Sequence, residues 1–440
     1  MVKLYSNINH WQAMKYTIII PTYNHCDDLL KPAVDSIFKY TDMQEVELII
    51  SANGCTDNTK QYLDELRERF DSIGFSKNLI TLWSDDPLGY PRANNVALPL
   101  ATADHIVLLN NDIVLLQQSK NQWLEMLAKP FLDNPRCGIS CLVKQWAAPA
   151  AAEFAVFFCV MISRAAFDAV GPLNETYGAG AGEDVEFSIE AVRAGFEICQ
   201  VGEKVAGDNF WTGAFPLYHQ GEGTYHDKLL FPDWDNIFYR NGITLSKKYN
   251  REYYKQELCN HFERSIFLKD EPVDPRESLR YRWAGFQITQ GTVLEIGCST
   301  GFGLQFLPDN IRYTGIDHGA LAIEAAQEQQ WRPHAEFICA DINQFELGYY
   351  DTIIAFEVIE HLENGLAVVE KLKQHCGLLL ITVPYQEPPG YWGQYHKLHG
   401  LDQSHFPGFE FAWINEAGLW CQQPDANSRF NIMVCRYHAG

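Results

Sequence analysis

No apolar run in the 440-residue chain approaches the roughly 20 residues that a membrane-spanning helix needs. Positive charge is scarce: 34 Lys and Arg stand against 56 Asp and Glu, a formal net charge of −22. A general binder of nucleic acid or anionic membrane carries a basic face, and none is visible, so nucleic acid is not an expected partner. Among the 12 cysteines there is no CxxC pair and no regular framework. They read as reduced, mostly buried thiols of a cytoplasmic protein, and argue against zinc. Internal repeats and low-complexity tracts are missing, and Met1 to Lys15 is too polar for a signal peptide. What remains is 47% hydrophobic and 13% aromatic, the composition of a well-buried globular protein. Its length exceeds what one hydrophobic core usually serves, so two domains are expected.

Strand and helix signals alternate through the first half. Strands are expected at Tyr16 to Ile20, Val46 to Ile50, Leu79 to Trp83 and Ile106 to Leu109, each ending on polar residues. Helix patterns lie between them, from Asp28 to Tyr40, Asn58 to Phe70 and Arg92 to Leu100. Repeated βα units of this kind indicate a Rossmann-like sheet. The run His105-Ile106-Val107-Leu108-Leu109 stops on Asn110-Asn111-Asp112. A buried strand ending so delivers polar side chains to the carboxyl edge of the sheet, where ligands bind in open α/β folds. One Asp beside two amides suits a divalent metal holding a diphosphate, with the amides available to ribose hydroxyls. An acidic, Pro-interrupted stretch, Asp270 to Pro275, is the best linker, and βα alternation resumes at Thr292. The second series of strands is expected at Val293 to Ile296, Tyr313 to Ile316, Glu336 to Cys339, Thr352 to Phe356 and Leu378 to Val383, with closing strands near Trp420 and at Ile432 to Tyr437.

Six blocks in the first half occur in an order that resembles the inverting family-two glycosyltransferases of the GT-A fold. They are Ile18 to Asn24, Asn53 to Thr59, Leu88 to Asn95, Leu108 to Asp112, Gly182 to Phe187, and Tyr218-His219. The resemblance implies that Asp112 and His219 hold Mn2+ or Mg2+. It implies that Asp184 is the general base, with Glu183 as substitute. Pro21, Thr22, Asn24, Asn53, Arg92, Asn110 and Asn111 would bind the nucleotide-sugar. Gly178 to Gly182 suits a mobile loop near the acceptor. Ala52 stands where relatives often carry an Asp that helps read the base, which leaves dTDP and UDP both open. The Arg-Ala-Asn-Asn and Asn-Asn-Asp pieces favour the rhamnosyltransferase-like branch.

The second half resembles class I S-adenosylmethionine-dependent methyltransferases. The strand Val293 to Ile296 enters the turn Gly297-Cys298-Ser299-Thr300-Gly301, with Ser299 in place of the usual middle glycine. By this resemblance Glu295, Gly297, Gly301, Asp317, Asp341, Ile342 and Phe356 bind S-adenosyl-L-methionine, and Phe356 to Leu362 matches the segment after the fourth strand. His396, His399 and His405 sit among Tyr391, Trp392 and Tyr395 in a Pro/Gly-rich loop. They offer a base for a methyl-accepting hydroxyl, with His396 and His399 as the candidates. His361 would shape the cofactor pocket, and a metal on His396 and His399 is a lesser alternative.

The expected fold class is therefore α/β with two domains. A GT-A glycosyltransferase domain with a Rossmann-like mixed sheet spans 1–250, a helical and acidic linker 251–284, and a class I methyltransferase domain 285–440. The expected function is sugar transfer from a dTDP- or UDP-sugar to a glycan or lipid-linked glycan acceptor, with methylation of a glycan hydroxyl, in cell-surface polysaccharide assembly. No integral membrane segment is expected, and the inner face of the membrane would be reached only through the acceptor. The rival reading is a glycosyltransferase whose second domain is catalytically silent and serves as a binding module.

Overall fold

The structure is a computed structural model describing residues 3–5, 14–202, 210–211, 215–220, 234–262, 267–269, 272–391 and 395–439. It divides between Tyr254 and Lys255 into two compact units. No helix among the described residues is long and apolar enough to cross a membrane.

The first unit contains β1 (Lys3–Tyr5), β2 (Tyr16–Thr22), β3 (Val46–Asn53), β4 (Leu79–Ser84), β5 (His105–Leu109), β6 (Ile113–Leu115), β7 (Cys137–Cys141), β8 (Lys144–Ala147), β9 (Ala152–Ala155), β10 (Cys159–Ser163), β11 (Glu197–Gln200), β12 (Phe210–Trp211) and β13 (Leu217–His219). Its helices are α1 (Lys31–Tyr40), α2 (Thr59–Ser72), α3 (Gly89–Asn95), α4 (Gln122–Asp133), α5 (Arg164–Val170), α6 (Glu183–Arg193) and α7 (Trp234–Tyr249), and α8 (Arg251–Phe262) carries the chain across the boundary. The main sheet runs β1-β4-β3-β2-β5-β10-β7-β11. Strands β4, β3, β2 and β5 are parallel, whereas β10 is antiparallel to both neighbours. Its central strands are β-branched and leucine-rich because both faces are covered. Ile18 and Ile20 enter one core and Ile19 the other, as the two-residue strand period requires. A small antiparallel sheet, β12-β13-β6, stands apart from it.

The second unit includes α9 (Pro275–Gln287), with Asp274 capping it by accepting from the Arg276 amide at 2.8 Å. Then come β14 (Gly291–Ile296), β15 (Ile311–Asp317), α10 (Ala320–Glu328), β16 (Glu336–Cys339), β17 (Tyr350–Phe356), α11 (Gly365–Lys373), β18 (Cys376–Pro384), β19 (Glu410–Asn415), β20 (Trp420–Cys421) and β21 (Asn431–His438). The sheet order is β16-β15-β14-β17-β18-β21-β19-β20. The first five strands are parallel, and β21 inserts antiparallel between β18 and β19. Because Tyr281 and Ala284 of α9 lie in the core beside Val293 and Leu380, this unit begins upstream of residue 285.

In both sheets the chain builds two strands to one side of a central strand and then returns to its other side: β2 lies between β3 and β5, and β14 between β15 and β17. The strand order reverses there, and a crevice opens beyond the carboxyl ends. In the first unit this point is flanked by Thr22 and Asn110, in the second by Gly297 and Glu357.

Candidate active sites

At the first switch point, the side chains of Thr22 and Asn111 meet, Asn111 Nδ2 donating to Thr22 Oγ1 at 3.0 Å. Pro21 is buried one residue earlier, paired in register with Ser51. Asn53 is buried, its Nδ2 donating to the Thr22 carbonyl at 3.0 Å and its Oδ1 accepting from the Leu88 amide at 2.9 Å. Asn24, at a left-handed φ of 54°, accepts from the Thr56 amide at 2.7 Å and the Asp57 amide at 3.3 Å. The asparagines expected to hold the nucleotide thus bind the loops after β2, β3 and β4 to one another. Arg92 is exposed on α3, 3.8 Å from Glu175.

Asp112 follows β5 and is buried; the Nε2 of His219 lies 3.3 Å from its Oδ1. The small sheet brings them together, since His219 pairs in register with Ile113. The His219 ring stacks on Phe158, centroids 4.1 Å apart and 6° from parallel. Two ligand atoms in adjacent positions of an octahedral ion, each at about 2.1 Å, stand roughly 3 Å apart. The Asp112–His219 spacing fits such an edge. Asn110 donates its backbone amide to the Phe158 carbonyl at 2.8 Å, and its buried Oδ1 accepts no hydrogen bond among the described residues.

Glu183 and Asp184 open α6, where the helix dipole favours negative charge. Burial nevertheless raises both carboxyls above the ordinary range, and the Asp184 charge adds to the rise at Glu183. Asp184 is partly compensated by backbone amides: Val185 donates to its Oδ1 at 2.8 Å, and Phe157 contributes a second bond. Glu183 Oε2 is buried with no donor among the described residues. Phe157 and Phe158 thus connect Asp184 to Asn110 and His219 through consecutive peptides. Gly178 to Gly182 is tied through its backbone carbonyls. Asn241 donates to the carbonyls of Tyr177 and Gly180 at 3.0 and 2.7 Å, and the Tyr90 amide donates to Ala179 at 3.1 Å.

In the second unit the turn after β14 takes positive φ at Gly297 (70°), Ser299 (52°) and Gly301 (76°). A side chain at Gly297 would also strike Val358, whereas Ser299 adopts the left-handed region at a cost of about 1 kcal/mol. Asp317 stabilises this conformation, with its buried carboxylate accepting from the amides of Ser299 and Gly319, each at 2.9 Å. Glu295 is not at the surface of the turn. It points into the core, where the hydroxyls of Tyr281 and Tyr313 donate to its two oxygens, the latter at 2.5 Å. Burial raises its carboxyl to about 7. Asp341 is exposed and accepts from the Asn343 amide at 2.8 Å, while Ile342 and Phe356 are buried. Phe356 packs edge-on against Tyr281, centroids 5.1 Å apart.

Beyond β17 lies a dense set of charged groups. Glu357 takes a left-handed φ of 54°, with Arg280 Nη1 3.7 Å from its carboxylate. Glu360 is wholly buried, and its carboxyl is held well above the usual range, mainly by burial and then by Glu357. His396 Nδ1 bonds Glu387 Oε2 at 2.5 Å, and His399 Nδ1 lies 4.0 Å from Glu387 Oε1. His361 and His396 meet edge to face at 4.6 Å. His405 is drawn away from the set, its Nδ1 bonded to Asp402 at 2.9 Å within its own turn. Tyr391 and Tyr395 are exposed, and Trp392 lies outside the described residues.

Sequence reasoning assigned no role to Phe158, Tyr281, Arg280, Glu360 or Glu387. Glu360 stood in the matched segment, but nothing local showed that its carboxylate is buried. Glu387 was hidden because its partners lie nine and twelve residues further on, across a loop.

Comparison with known proteins agrees with this partition. Residues 17–146 match the model of glycosyl transferase family 2, and residues 294–377 that of a methyltransferase domain. Over 243 residues the chain is 25% identical to the uncharacterized protein y4gI of Sinorhizobium fredii, covering 46% of this chain and 24% of that protein. Over 113 residues it is 30% identical to the O-antigen biosynthesis protein RfbC of Myxococcus xanthus, covering 26% of this chain and 8% of that protein. It thus spans a quarter or less of the length of either relative. Among solved structures it resembles a mannosyltransferase of Pyrobaculum calidifontis, determined with GDP-Man and Mn2+, at 19% identity and a TM-score of 0.34, covering 43% of this chain and 55% of that one. Each switch point falls in or beside the matching segment, and the chain carries a family-2 glycosyltransferase domain ahead of a methyltransferase domain.

Proposed function

We propose that this protein transfers a sugar from a dTDP- or UDP-sugar to a glycan acceptor with inversion, and methylates a glycan hydroxyl with S-adenosylmethionine. The observation that carries the reading is that both switch points, in two separate units, are lined by buried carboxylates and imidazoles. In the first, Asp112 and His219 would hold Mn2+ or Mg2+, which when bound supplies positive charge to the departing diphosphate. Asn110 presents an unoccupied amide oxygen to the donor. Asp184 takes the acceptor hydroxyl's proton as that oxygen bonds to the anomeric carbon and the bond to diphosphate breaks. Its raised carboxyl makes it a better proton acceptor than an exposed Asp.

In the second unit the Gly297–Gly301 turn and Asp317 form the cofactor cradle, in which Asp317 retains lone pairs for ribose hydroxyls. His399 is the acceptor-side base, because its Nδ1 stands 4.0 Å from Glu387 without a hydrogen bond, whereas His396 is bound to Glu387 through Nδ1 and turned to Glu360 and His361. The partial likeness to an O-antigen biosynthesis protein supports a cell-surface glycan or lipid-linked glycan as acceptor.

The test incubates the full chain with nucleotide-sugars, Mn2+ and bacterial surface glycans, with and without S-adenosylmethionine, and follows product mass. A sugar increment, and a further methyl increment with the cofactor, is expected. Sugar transfer without methylation of any glycan would replace the second half of the reading with a silent binding module. Methylation without nucleoside diphosphate release would overturn the first half.

A further inference from the structure

We propose that the second unit binds a divalent transition-metal ion between Glu360, His361 and His396, and that the ion takes the acceptor hydroxyl of methyl transfer. The proposal rests on the methyl-transfer reading for its substrate, but the ion site stands on geometry alone. One ligand atom from each of the three residues lies within 4.8 Å of the other two, and among the described residues this is the one cluster of its kind.

The second observation is Glu360 itself. It is 0% exposed, and neither carboxylate oxygen has a hydrogen-bond donor among the described residues. An ionised carboxylate buried without partners costs several kcal/mol, so Glu360 either keeps its proton or meets a cation. The buried Arg280 is paired with Glu277 and lies 3.7 Å from Glu357, and it reaches Glu360 through its charge without a hydrogen bond. A cation between Glu360 and the two imidazoles meets the need.

The surroundings are those of a ligand set. Glu360 and His361 sit on a single helical turn directly after β17, at the carboxyl edge where the methyl donor would lie. The loop bearing His396 is fastened to that turn, since the amides of Lys397 and Leu398 donate to the Glu360 carbonyl at 2.6 and 3.0 Å. Glu387 holds His396 by Nδ1, which turns Nε2 outward as the ligating nitrogen, the arrangement found behind most metal-bound histidines. Glu360 is buried, His396 half-buried and His361 exposed, so the ion would have protein on one side and positions open to an incoming oxygen on the other. Two imidazoles and a carboxylate suit Mn2+, Fe2+, Co2+ or Zn2+ better than Ca2+. A hydroxyl on such an ion loses its proton more readily. That proton passes to His399, the oxygen bonds to the methyl carbon, and the C–S electron pair returns to sulfur, leaving S-adenosylhomocysteine.

The experiment titrates Mn2+ into the full chain carrying Asp112→Ala, which removes the first unit's proposed ion, and reads bound Mn2+ by electron paramagnetic resonance. One site is expected. It should be lost with Glu360→Gln and again with His361→Gln, provided each variant still binds S-adenosylhomocysteine and so is folded. Glu387→Gln should weaken it ~10–100-fold. Methyl transfer to glycan should fall at least ~10²-fold in chelator and return with Mn2+. An absence of bound Mn2+ in the folded Asp112→Ala protein, or a site unaffected by both Glu360→Gln and His361→Gln, overturns the proposal. Methylation at full rate in chelator removes the ion's catalytic role while leaving the methyl-transfer reading intact. A bound ion with no glycan methylation leaves the ion site standing and removes the methyl-transfer reading.

Discussion

At the switch point of the first sheet, Thr22, Asn24, Asn53 and Asn111 tie neighbouring loops together, and a single carboxylate–imidazole pair, Asp112 and His219, faces the crevice. At that of the second sheet the acidic residue of the motif, Glu295, is turned into the core, and the crevice is lined by Glu357, Glu360, His361, His396 and Glu387. In each unit some residues that match a family pattern are occupied in holding the backbone, so pattern alone does not separate ligand from scaffold. A better guide is a buried polar atom that the protein itself leaves without a partner, because burial without a hydrogen bond is costly unless something else makes it. That measure marks Asn110, Glu183, Glu360 and His399 at the two switch points, as it also marks scaffold positions such as Tyr62, Ser140 and Trp413.

The largest expected effect lies where the first unit has least redundancy. Asp112→Ala should lower sugar transfer roughly 10⁴-fold, about 5 kcal/mol on the barrier, through loss of charge stabilisation at the diphosphate. Chelator should act alike, while methylation of the same glycan by the Asp112→Ala protein persists. Sugar transfer at the normal rate in excess chelator would break the comparison, since only the second unit would then need a cation.

Next is Asp184→Asn, with a fall of ~10³-fold in turnover, about 4 kcal/mol, and unchanged donor affinity. Because burial raises this carboxyl, the wild-type rate should climb as pH rises through the neutral-to-acid range and level off once Asp184 is ionised. Loss of donor affinity with normal turnover at saturation would make Asp184 a binding residue. Glu183, buried and short of donors, would then be the base to test.

Glu295→Gln probes the scaffold of the second unit. The folded carboxyl lies at about 7 against an ordinary 4.5, so the native protein holds this proton more tightly than the unfolded chain. That contribution to stability is present below 4.5 and is lost as pH rises through about 7. The loss is about 3 kcal/mol. The neutral amide removes it. Thermal unfolding should therefore show the variant close to wild type near pH 4.5 and more stable at pH 8, with S-adenosylhomocysteine affinity little changed. A large drop in that affinity would return Glu295 to the cofactor site.

The strands of both sheets were legible because β-branched runs ended on polar turns: Glu336–Cys339 coincides with its expected span, and Val46–Asn53 and Gly291–Ile296 extend theirs. The strand Glu410–Asn415 was missed, since its Phe, Ala and Trp form neither a strict alternation nor a β-branched run. Strands β6 and β13 have three residues each, too few for any periodicity, yet their pairing is what brings His219 to Asp112. The ties of the Gly178 to Gly182 loop were hidden for a similar reason. Its glycines signal backbone freedom, but Asn241, some sixty residues later, holds the carbonyls. Candidate residues can be found from local pattern; their partners depend on burial and on distant chain, which pattern does not carry.

The smallest effect tests whether Asn53 is scaffold or ligand. Its Nδ2 donates to the Thr22 carbonyl and its Oδ1 accepts from the Leu88 amide, both within a buried setting. Asn53→Ala leaves that carbonyl and amide without partners, at a cost of about 2 kcal/mol in stability. Asn53→Asp keeps the acceptor but sets a buried negative charge against the Thr22 carbonyl, so it should lose at least as much. Because the residue joins the loop after β2 to that after β4, nucleotide affinity should weaken only as far as those loops loosen. Stability and affinity should then fall together across the two variants when measured by thermal unfolding and nucleotide titration. If Asn53→Ala weakens nucleotide binding tenfold or more while its unfolding temperature stays at the wild-type value, the side chain contacts the donor directly. The first unit's asparagines would then be ligands after all, and their likeness to Glu295 in the second unit would disappear.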